Sequence, residues 1–324
     1  MSDLAQTSTV SDAPTPAPRN VSQIHLSPNQ RAWRRFKQNR PAILSLGFLV
    51  LLVTLMFLWP MITSHPANAV SDDQFQPPSA KNWCGTDVHG RDLLSRIFSG
   101  ARISLLVGLV SAGVSLVIGV TWGAVAGYIG GRLDNWMMRF VDILYSLPSI
   151  VFVIVLITTL EGLLKTWLTQ TVGTNLAASA RLLFLFVGLG AVSWLTMARI
   201  VRGQVLTLRE RSFVAASRAL GASHTRILVR HILPNVLGVI IVYVTLTVPA
   251  VILYESFLSY LGLGIQPPMA SWGTLISEGA NQLNAIRIYW WLIVFPGAFL
   301  VTTLLALNFL GDGLRDAYDP RGNS

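Results

Sequence analysis

Six long runs without charged residues dominate the hydrophobic pattern of the chain. A membrane core about 30 Å thick needs about 20 apolar residues in a helix, and each run approaches or exceeds that length. Because backbone groups in lipid must be paired within the segment, and because these runs do not alternate as barrel strands do, each is predicted to be a transmembrane helix. The predicted spans are Pro41–Ser64, Ile103–Gly131, Ile143–Leu160, Leu182–Ala198, Ile232–Tyr254 and Ile288–Gly311.

The composition agrees with this pattern. Of the 324 residues, 52% are hydrophobic and only 12% are charged, about half the charged share of a soluble domain. These values exclude an ordinary water-soluble enzyme, a coiled coil and a disordered chain. The predicted fold class is therefore an all-α integral membrane protein. The single cysteine, Cys84, excludes an internal disulfide.

The placement of basic residues predicts the orientation. Segments 1–40, 132–142, 199–231 and 312–324 carry 17 of the 24 Lys and Arg residues. Since basic loops stay in the cytoplasm, both ends are predicted to lie inside. The net charge of +9 is thereby explained by topology and implies no nucleic-acid partner. Ala67-Asn68-Ala69 resembles a signal cleavage site, but the first run is too long for a signal peptide and is predicted to be an uncleaved anchor.

The chain divides into five predicted parts. Ser-, Thr- and Pro-rich composition predicts disorder at the start, and clustered apolar residues from Leu93 to Phe98 predict an interfacial helix, capped by Asp87 or Asp92, before the second span. The parts are a disordered cytoplasmic tail (1–30), a segment with the first span (31–64), a periplasmic loop with the interfacial helix (65–102), a core with five spans (103–311) that contains a cytoplasmic loop (203–232), and a cytoplasmic tail (312–324).

The second and later spans contain packing signals. Small residues recur every fourth position, which predicts close approach of another helix: Ser111, Ser115, Gly119, Gly123 and Gly127. Pro148, Pro249 and Pro296 are predicted to lie inside three helices and to permit kinks there.

The most informative segment is the loop between the fourth and fifth spans. Ser212 is predicted to cap a short helix that ends at Gly221, because glycine takes a left-handed conformation without strain. Ser223 is predicted to cap a second helix that enters the membrane near Pro234. From the residues alone, this helix–glycine–helix corner (residues 212–232) is either a basic segment resting on lipid headgroups or a projecting contact element.

This corner resembles the cytoplasmic EAA loop of bacterial ABC-importer permeases. Ala215-Ala216-Ser217 stands at the Glu-Ala-Ala positions, and Gly221 and Leu233-Pro234 follow at the family spacing. Two of the three name-giving residues differ, since Ala215 replaces the acid and Ser217 replaces the second alanine. In the family this corner is the coupling helix, which docks in a groove of the ATPase subunit. The resemblance implies that the docking shape is retained here without the acid.

The resemblance extends over residues 30–322, to the C-type permeases of oligopeptide and dipeptide importers, the oligopeptide type above all. The motifs that carry it are Gly85-Thr86-Asp87, Gly90-Arg91-Asp92-Leu93-Leu94, Gly127-Tyr128-Ile129-Gly130-Gly131, the run Glu255–Gly264, Ser271-Trp272-Gly273 and the run Gly311–Pro320. It implies a type I ABC-importer permease fold in a bacterial inner membrane. It also implies peptide substrate and four partners: a B-type sister permease, two ABC ATPases of D and F type, and an extracytoplasmic peptide-binding protein.

The same resemblance implies which residues contact the ATPase. They are Phe213, Ala215, Ala216, Ser217, Arg218, Leu220, Gly221, Ala222 and Ser223. The sequence has no Gly-x-x-x-x-Gly-Lys-[Ser/Thr] loop, so no cofactor, metal or catalytic residue is expected in this chain, and ATP with Mg²⁺ would be bound by the partner ATPases.

Acidic residues near the membrane are the remaining functional candidates. Asp142 is predicted to pair with Arg139, one helical turn earlier. The outer end of the fifth span carries a candidate outer gate or peptide path, with hydrogen bonding to a neighbouring helix as the alternative: Glu255, Ser256, Ser259 and Tyr260. The alternative function is an ATP-independent secondary transporter or channel, although almost charge-free spans argue against ion coupling. A structural scaffold is the third interpretation.

Overall fold

The computed structural model describes residues 28–171, 174–266, 269–283 and 287–318, so most of the predicted tail 1–30 and residues 319–324 lie outside the described residues. Helices account for most of this part of the chain. They are α1 (Pro28–Gln38), α2 (Arg40–Ile62), α3 (Leu93–Ile129), α4 (Gly131–Ser146), α5 (Ser149–Thr171), α6 (Thr174–Arg209), α7 (Ser212–Ala219), α8 (His224–Ile227), a π-helical turn (Leu228–Ile232), α9 (Leu233–Tyr260), α10 (Trp272–Ala280) and α11 (Trp291–Tyr318).

Five helices of the described chain are long and apolar enough to cross a membrane, and a bent pair brings the number to six if it counts as one span. The five are α2, α3, most of α6, the continuous segment His224–Tyr260 and α11. This arrangement confirms the predicted all-helical membrane fold. The bent pair consists of α4 and the first part of α5, which meet at 93°.

The bend replaces the single third span, kinked at Pro148, that the sequence predicts. Leu147 takes an extended conformation, with φ −80° and ψ 139°, because the ring of Pro148 disfavours the helical conformation of the residue before it. The prediction that Pro148 lies inside a helix is therefore wrong. Pro249 and Pro296 do lie inside helices, in α9 and α11. The bend leaves α4 running crosswise to α5.

The stripe of small residues on α3 forms the contact with α6. A Cβ atom added at Gly123 would lie 2.3 Å from the carbonyl oxygen of Ala198. One added at Gly127 would lie 2.8 Å from the carbonyl oxygen of Arg202. At these two positions the backbones of α3 and α6 leave no room for a side chain larger than the hydrogen atom of glycine. The predicted close approach of another helix is therefore confirmed.

The segment before the second span differs from its prediction. No separate interfacial helix precedes it among the described residues, because Leu93 begins α3 itself and α3 continues to Ile129. Asp92 caps α3 by accepting a hydrogen bond from the Ser95 N–H at 2.9 Å. The apolar residues that suggested a surface helix are buried in a core cluster: Leu93, Leu94, Ile97 and Phe98. They contact protein rather than lipid headgroups.

An ion-pair group holds the loop between α2 and α3 against α3 and α10. Arg96 in α3 is 4% exposed and donates to Asp87 Oδ2 at 2.8 Å and to Glu278 Oε1 at 3.0 Å. Arg91 donates to the same Asp87 oxygen at 2.7 Å. A buried cation needs such partners because desolvation of an unpaired charge costs several kcal/mol. Asp87 is thus a member of this group and not a helix cap.

The two ends of the described chain meet on one side of the bundle. Ala32 and Phe36 of α1 pack with Ala317 near the end of α11. Asn39 donates a hydrogen bond to Asp316 at 3.3 Å. Gly238, near the start of α9, contacts Tyr318 at the end of α11, since an added Cβ atom would lie 3.4 Å from the Tyr318 ring, so the corner that precedes α9 lies on this side as well.

Candidate functional site

The corner is built as the sequence predicts, with one difference at its start. Arg211, with φ −73° and ψ 149°, occupies the cap position of α7, and the predicted capping by Ser212 is wrong because Ser212 is already the first helical residue. At the other end, Gly221 has φ +77°. Its N–H donates to Arg218 O at 2.9 Å, and the next N–H donates to Ser217 O at 3.1 Å. This pair of bonds is a Schellman motif, which requires the left-handed residue.

Helix α7 has an inward and an outward face. Val214 is fully buried and fixes the inward face. Phe213, Ala216 and Leu220 recur at helical spacing on the outward face, and Leu220 is 88% exposed. An apolar side chain of this size costs free energy in water, so the outward face is suited to contact with another protein. Arg218 lies one turn after Val214; its side chain is exposed, and its guanidinium lies 5.7 Å from the centre of the Tyr128 ring of α3.

Arginines of α6 fix the corner to the neighbouring helices. Arg209, at the end of α6, donates to the carbonyl oxygen of Gly127 at 3.1 Å, where the last turn of α3 leaves its carbonyls unpaired. Arg202 donates Nη2 to Asp134 Oδ2 at 2.7 Å and so joins α6 to the first turn of α4. Sequence reasoning missed these residues, because arginines in a basic loop give no sign of which helix end they reach.

Asp142 pairs across helices instead of within its own. Arg199 of α6 donates to Asp142 Oδ1 at 2.7 Å, and its guanidinium lies 4.1 Å from the centre of the Tyr145 ring. The predicted pair with Arg139 is therefore wrong. The bend at Pro148 turns α4 toward α6, which brings the carboxylate to Arg199.

The second half of the corner leads directly into the membrane. Ser223 Oγ accepts from the Arg226 N–H at 3.4 Å and caps α8, as predicted. A π-helical turn, Leu228–Ile232, then connects α8 with α9, whose first turn contains Pro234. The described chain is continuously helical from His224 to Tyr260, so the second half of the corner and α9 form one helical element.

A cavity of about 440 Å³ lies among α4, α5, α6 and α9. Its wall mixes apolar side chains with hydroxyl groups. The hydroxyl-bearing residues are Tyr145, Ser149, Ser193, Thr196, Tyr243, Thr247 and Tyr254. This set has no signature in the sequence, since single hydroxyl residues scattered over apolar helices form no motif until the helices are placed. Such a surface can bind polar solute groups without a fixed charge.

Glu255 is fully buried in a serine-rich cluster between α9, α3 and α10. Ser259 donates to its Oε1 at 2.6 Å, and Ser104 of α3 donates to its Oε2 at 3.2 Å. Ser104 in turn accepts from the Trp272 N–H at 3.3 Å, at the start of α10. The carboxylate thus joins α9 to α3 and α10. Both carboxylate oxygens of Glu255 accept hydrogen bonds, which agrees with the alternative that this residue bonds to a neighbouring helix.

The other three residues of the predicted gate occupy different environments. Ser256 is buried where α10 approaches the α9 backbone, because a Cβ atom at Gly273 would lie 2.5 Å from the Ser256 carbonyl oxygen. Ser259 belongs to the Glu255 cluster, and Tyr260 is 49% exposed. At this end of α9 it is Tyr254 that lines the cavity. A role of the four residues in gating stays a prediction.

Comparisons with known proteins agree on one family. Residues 119–323 match the family model described as binding-protein-dependent transport system inner membrane component. Residues 27–78 match the N-terminal transmembrane domain of oligopeptide transport permease C.

Individual relatives point the same way. The chain is 46% identical over 298 residues to the oligopeptide transport system permease protein OppC of Escherichia coli, covering 90% of this chain and 91% of that protein. It is 43% identical over 303 residues to the dipeptide transport system permease protein DppC of Bacillus subtilis, covering 93% and 88%. A solved structure of the MetNI methionine ABC transporter shares the fold, with a TM-score of 0.52 and 22% identity over 70% of this chain and 98% of that one.

Proposed function

Because the chain belongs to the family of binding-protein-dependent transport system inner membrane components, and to its oligopeptide permease C branch, we propose that it is the C-type permease of an ATP-driven peptide importer. The family is one of transport permease subunits, which are multi-pass membrane proteins that work with other permease and ATPase subunits. The observation that carries the proposal is similarity to named dipeptide and oligopeptide permeases over 93% and 90% of this chain.

We further propose which subunits accompany the chain, in which membrane it lies and how it is oriented there. The chain would form half of a translocation pathway in a bacterial inner membrane, with both ends in the cytoplasm. A B-type sister permease would supply the other half, a peptide-binding protein would deliver substrate from outside, and D- and F-type ATPases would bind ATP with Mg²⁺. The concentration of arginines on the corner side supports this orientation. This chain itself would catalyse no reaction.

The corner is proposed as the contact with an ATPase. Phe213, Ala216 and Leu220 would enter a groove of the ATPase, and the Schellman motif at Gly221 would hold α7 at the required angle. A partner shifts a conformational equilibrium only by its different affinity for the two states. The outward face must therefore bind the ATP-bound and ATP-free ATPase pair with different affinity, and the continuous helix into α9 would carry the change to the cavity.

The cavity among α4, α5, α6 and α9 is proposed as this subunit's share of the peptide path. Its hydroxyl groups can bond peptide backbones of any sequence, which suits a transporter of varied peptides. The Glu255 cluster would hold the outer end of α9 against α3 and α10 while the cavity is closed toward the outside.

Reconstitution tests the proposal. The chain is purified with its co-expressed partners, placed in vesicles, and supplied with binding protein, ATP and labelled peptides of two to eight residues. We expect ATP-dependent uptake that requires this subunit, and co-purification of two ATPases and one sister permease. Uptake by the chain alone without ATP would instead establish a secondary carrier, and ATP-dependent uptake of a solute other than peptide would refute the substrate.

A further inference from the structure

A second cavity, of about 530 Å³, lies where the end of α3 meets the corner. Its wall has two chemically different halves. Val125, Ile129 and Leu228 form the apolar half, and Tyr128, Arg218 and His224 form the polar half. The transport proposal does not use this cavity.

Arg218 is available to a ligand in this cavity. Arg218 is exposed and lines the cavity together with residues of α3, one turn after the buried Val214. Its guanidinium lies 5.7 Å from the centre of the Tyr128 ring, a distance at which a cation is attracted to the ring face. Within the described residues, no carboxylate lies within ion-pair distance of Arg218, whereas Arg199 and Arg202 are paired.

His224 supplies a second donor. Its Nδ1 lies 3.0 Å from the Tyr128 hydroxyl group, which fixes the orientation of the imidazole ring. When that hydroxyl group donates to Nδ1, the hydrogen of the neutral ring is on Nε2, which is then free to donate to an anion. The polar half therefore presents a guanidinium group and an imidazole N–H to one space.

The apolar half opens to the surface of the membrane span. Val125 and Ile129 are 37% and 59% exposed and lie in the last two turns of α3. They are on the side of the bundle where the corner and the basic loops lie, which the charge pattern predicts to be cytoplasmic. Cytoplasmic leaflets contain anionic lipids that are attracted to basic residues near the surface.

We propose that this cavity binds an anionic phospholipid of the cytoplasmic leaflet, with its phosphate at Arg218 and His224 and its first acyl carbons along Val125 and Ile129. The apolar half is what selects lipid over free phosphate, because an inorganic anion gains nothing from Val125, Ile129 and Leu228. The bound lipid would sit between α3 and α7, so membrane composition would affect how firmly the corner is held.

Native mass spectrometry of the complete complex tests the proposal. The complex is extracted from nanodiscs of phosphatidylethanolamine with graded phosphatidylglycerol, and retained phosphatidylglycerol is counted. Arg218→Gln is compared with Arg230→Gln, a matched loss of an exposed arginine from the same loop outside the cavity. We expect about fivefold weaker retention in Arg218→Gln, the effect of one surface cation on an anionic lipid, and unchanged retention in Arg230→Gln.

Two further arms separate the lipid from other occupants. Val125→Trp fills the apolar half and should also weaken retention, whereas inorganic phosphate should not displace the lipid. Equal losses in Arg218→Gln and Arg230→Gln, or displacement by phosphate, would overturn the proposal. Loss of the ATPase from Arg218→Gln with lipid retention unchanged would assign Arg218 to a protein contact instead. If Arg218→Gln does not fold, Val125→Trp decides, and neither result depends on which solute is transported.

Discussion

Replacement of Gly221 by alanine tests the backbone conformation of the corner, because it strains the turn without removing any side-chain contact. An added Cβ atom would meet nothing within 4 Å, so the substitution introduces no clash. The backbone, however, is at φ +77°, where an L-residue with a Cβ atom costs about 1–2 kcal/mol. At room temperature this free energy corresponds to about a 5- to 30-fold smaller population of the bent corner.

The expected result is a loss of coupling without a loss of insertion. Gly221→Ala should lower ATP-dependent uptake by up to that factor, and Gly221→Asn should lower it less, because asparagine tolerates the left-handed region. Gly221→Pro should abolish uptake, because it fixes φ near −65° and removes the N–H that donates to Arg218 O. Ala216→Trp should uncouple through the outward face and leave the bend intact.

The assay measures uptake and ATPase rate in the same vesicles, with membrane insertion checked by protease accessibility. Gly203→Ala is the matched control, because Gly203 is an exposed helical residue of α6 whose added Cβ atom also meets nothing within 4 Å. It should transport normally. Wild-type uptake in both Gly221→Pro and Gly221→Ala would show that the left-handed turn is not needed, and the docking assignment would be abandoned.

Three further predictions concern packing, the buried carboxylate and the cysteine. Gly123→Leu should lower the thermal stability of the detergent-solubilised protein, because the added Cβ atom alone would lie 2.3 Å from Ala198 O. Gly113→Leu is the control and should leave the stability unchanged, because its Cβ atom would meet nothing within 4 Å. Equal melting temperatures of the two variants would contradict the described packing of α3 against α6. Glu255→Gln keeps hydrogen-bonding atoms and should retain more uptake than Glu255→Ala, while unchanged uptake and basal ATPase rate in both would end the gate hypothesis. Burial, with a smaller contribution from the charge of Asp92, raises the pKa of Cys84 from 9.0 to about 11. Near pH 8 the reactive thiolate should therefore be about a hundredfold rarer in the folded protein than in the unfolded chain. Maleimide labelling that is as fast in the folded as in the denatured protein would disprove this.

The elements that could be predicted from the sequence are those with a local cause. The length of the apolar runs predicts the spans, and small residues at every fourth position of α3 predict the close approach of another helix. The helical pattern that ends at Gly221 predicts the turn. The errors have a local cause too. The sequence predicts that Pro148 kinks a helix, whereas its effect on Leu147 ends one. The sequence predicts that Ser212 caps α7, but Arg211 already has the extended conformation of a cap residue.

What the sequence could not give is the pairing of side chains from distant helices. Asp142 has an arginine one turn earlier, yet its partner is Arg199, because the direction of α4 is set by a bend that no charge pattern reveals. The apolar residues that begin α3 have the spacing of a surface helix, and only the packing of α10 and α11 against them decides that they are buried. The hydroxyl groups of the larger cavity converge for the same reason.

The contact between α1 and the last turns of α11 constrains the parity of the membrane crossings. Asn39 precedes the first span and Asp316 follows the hydrophobic stretch of the last, and the two side chains touch. A chain that returns to the face it left has crossed an even number of times. Five crossings would separate these residues by the thickness of the bilayer, so we expect the angled pair α4–α5 to count as a full passage. Compartment-specific reporter proteins fused before α1 and after α11 should accordingly both be active on the same side of the membrane.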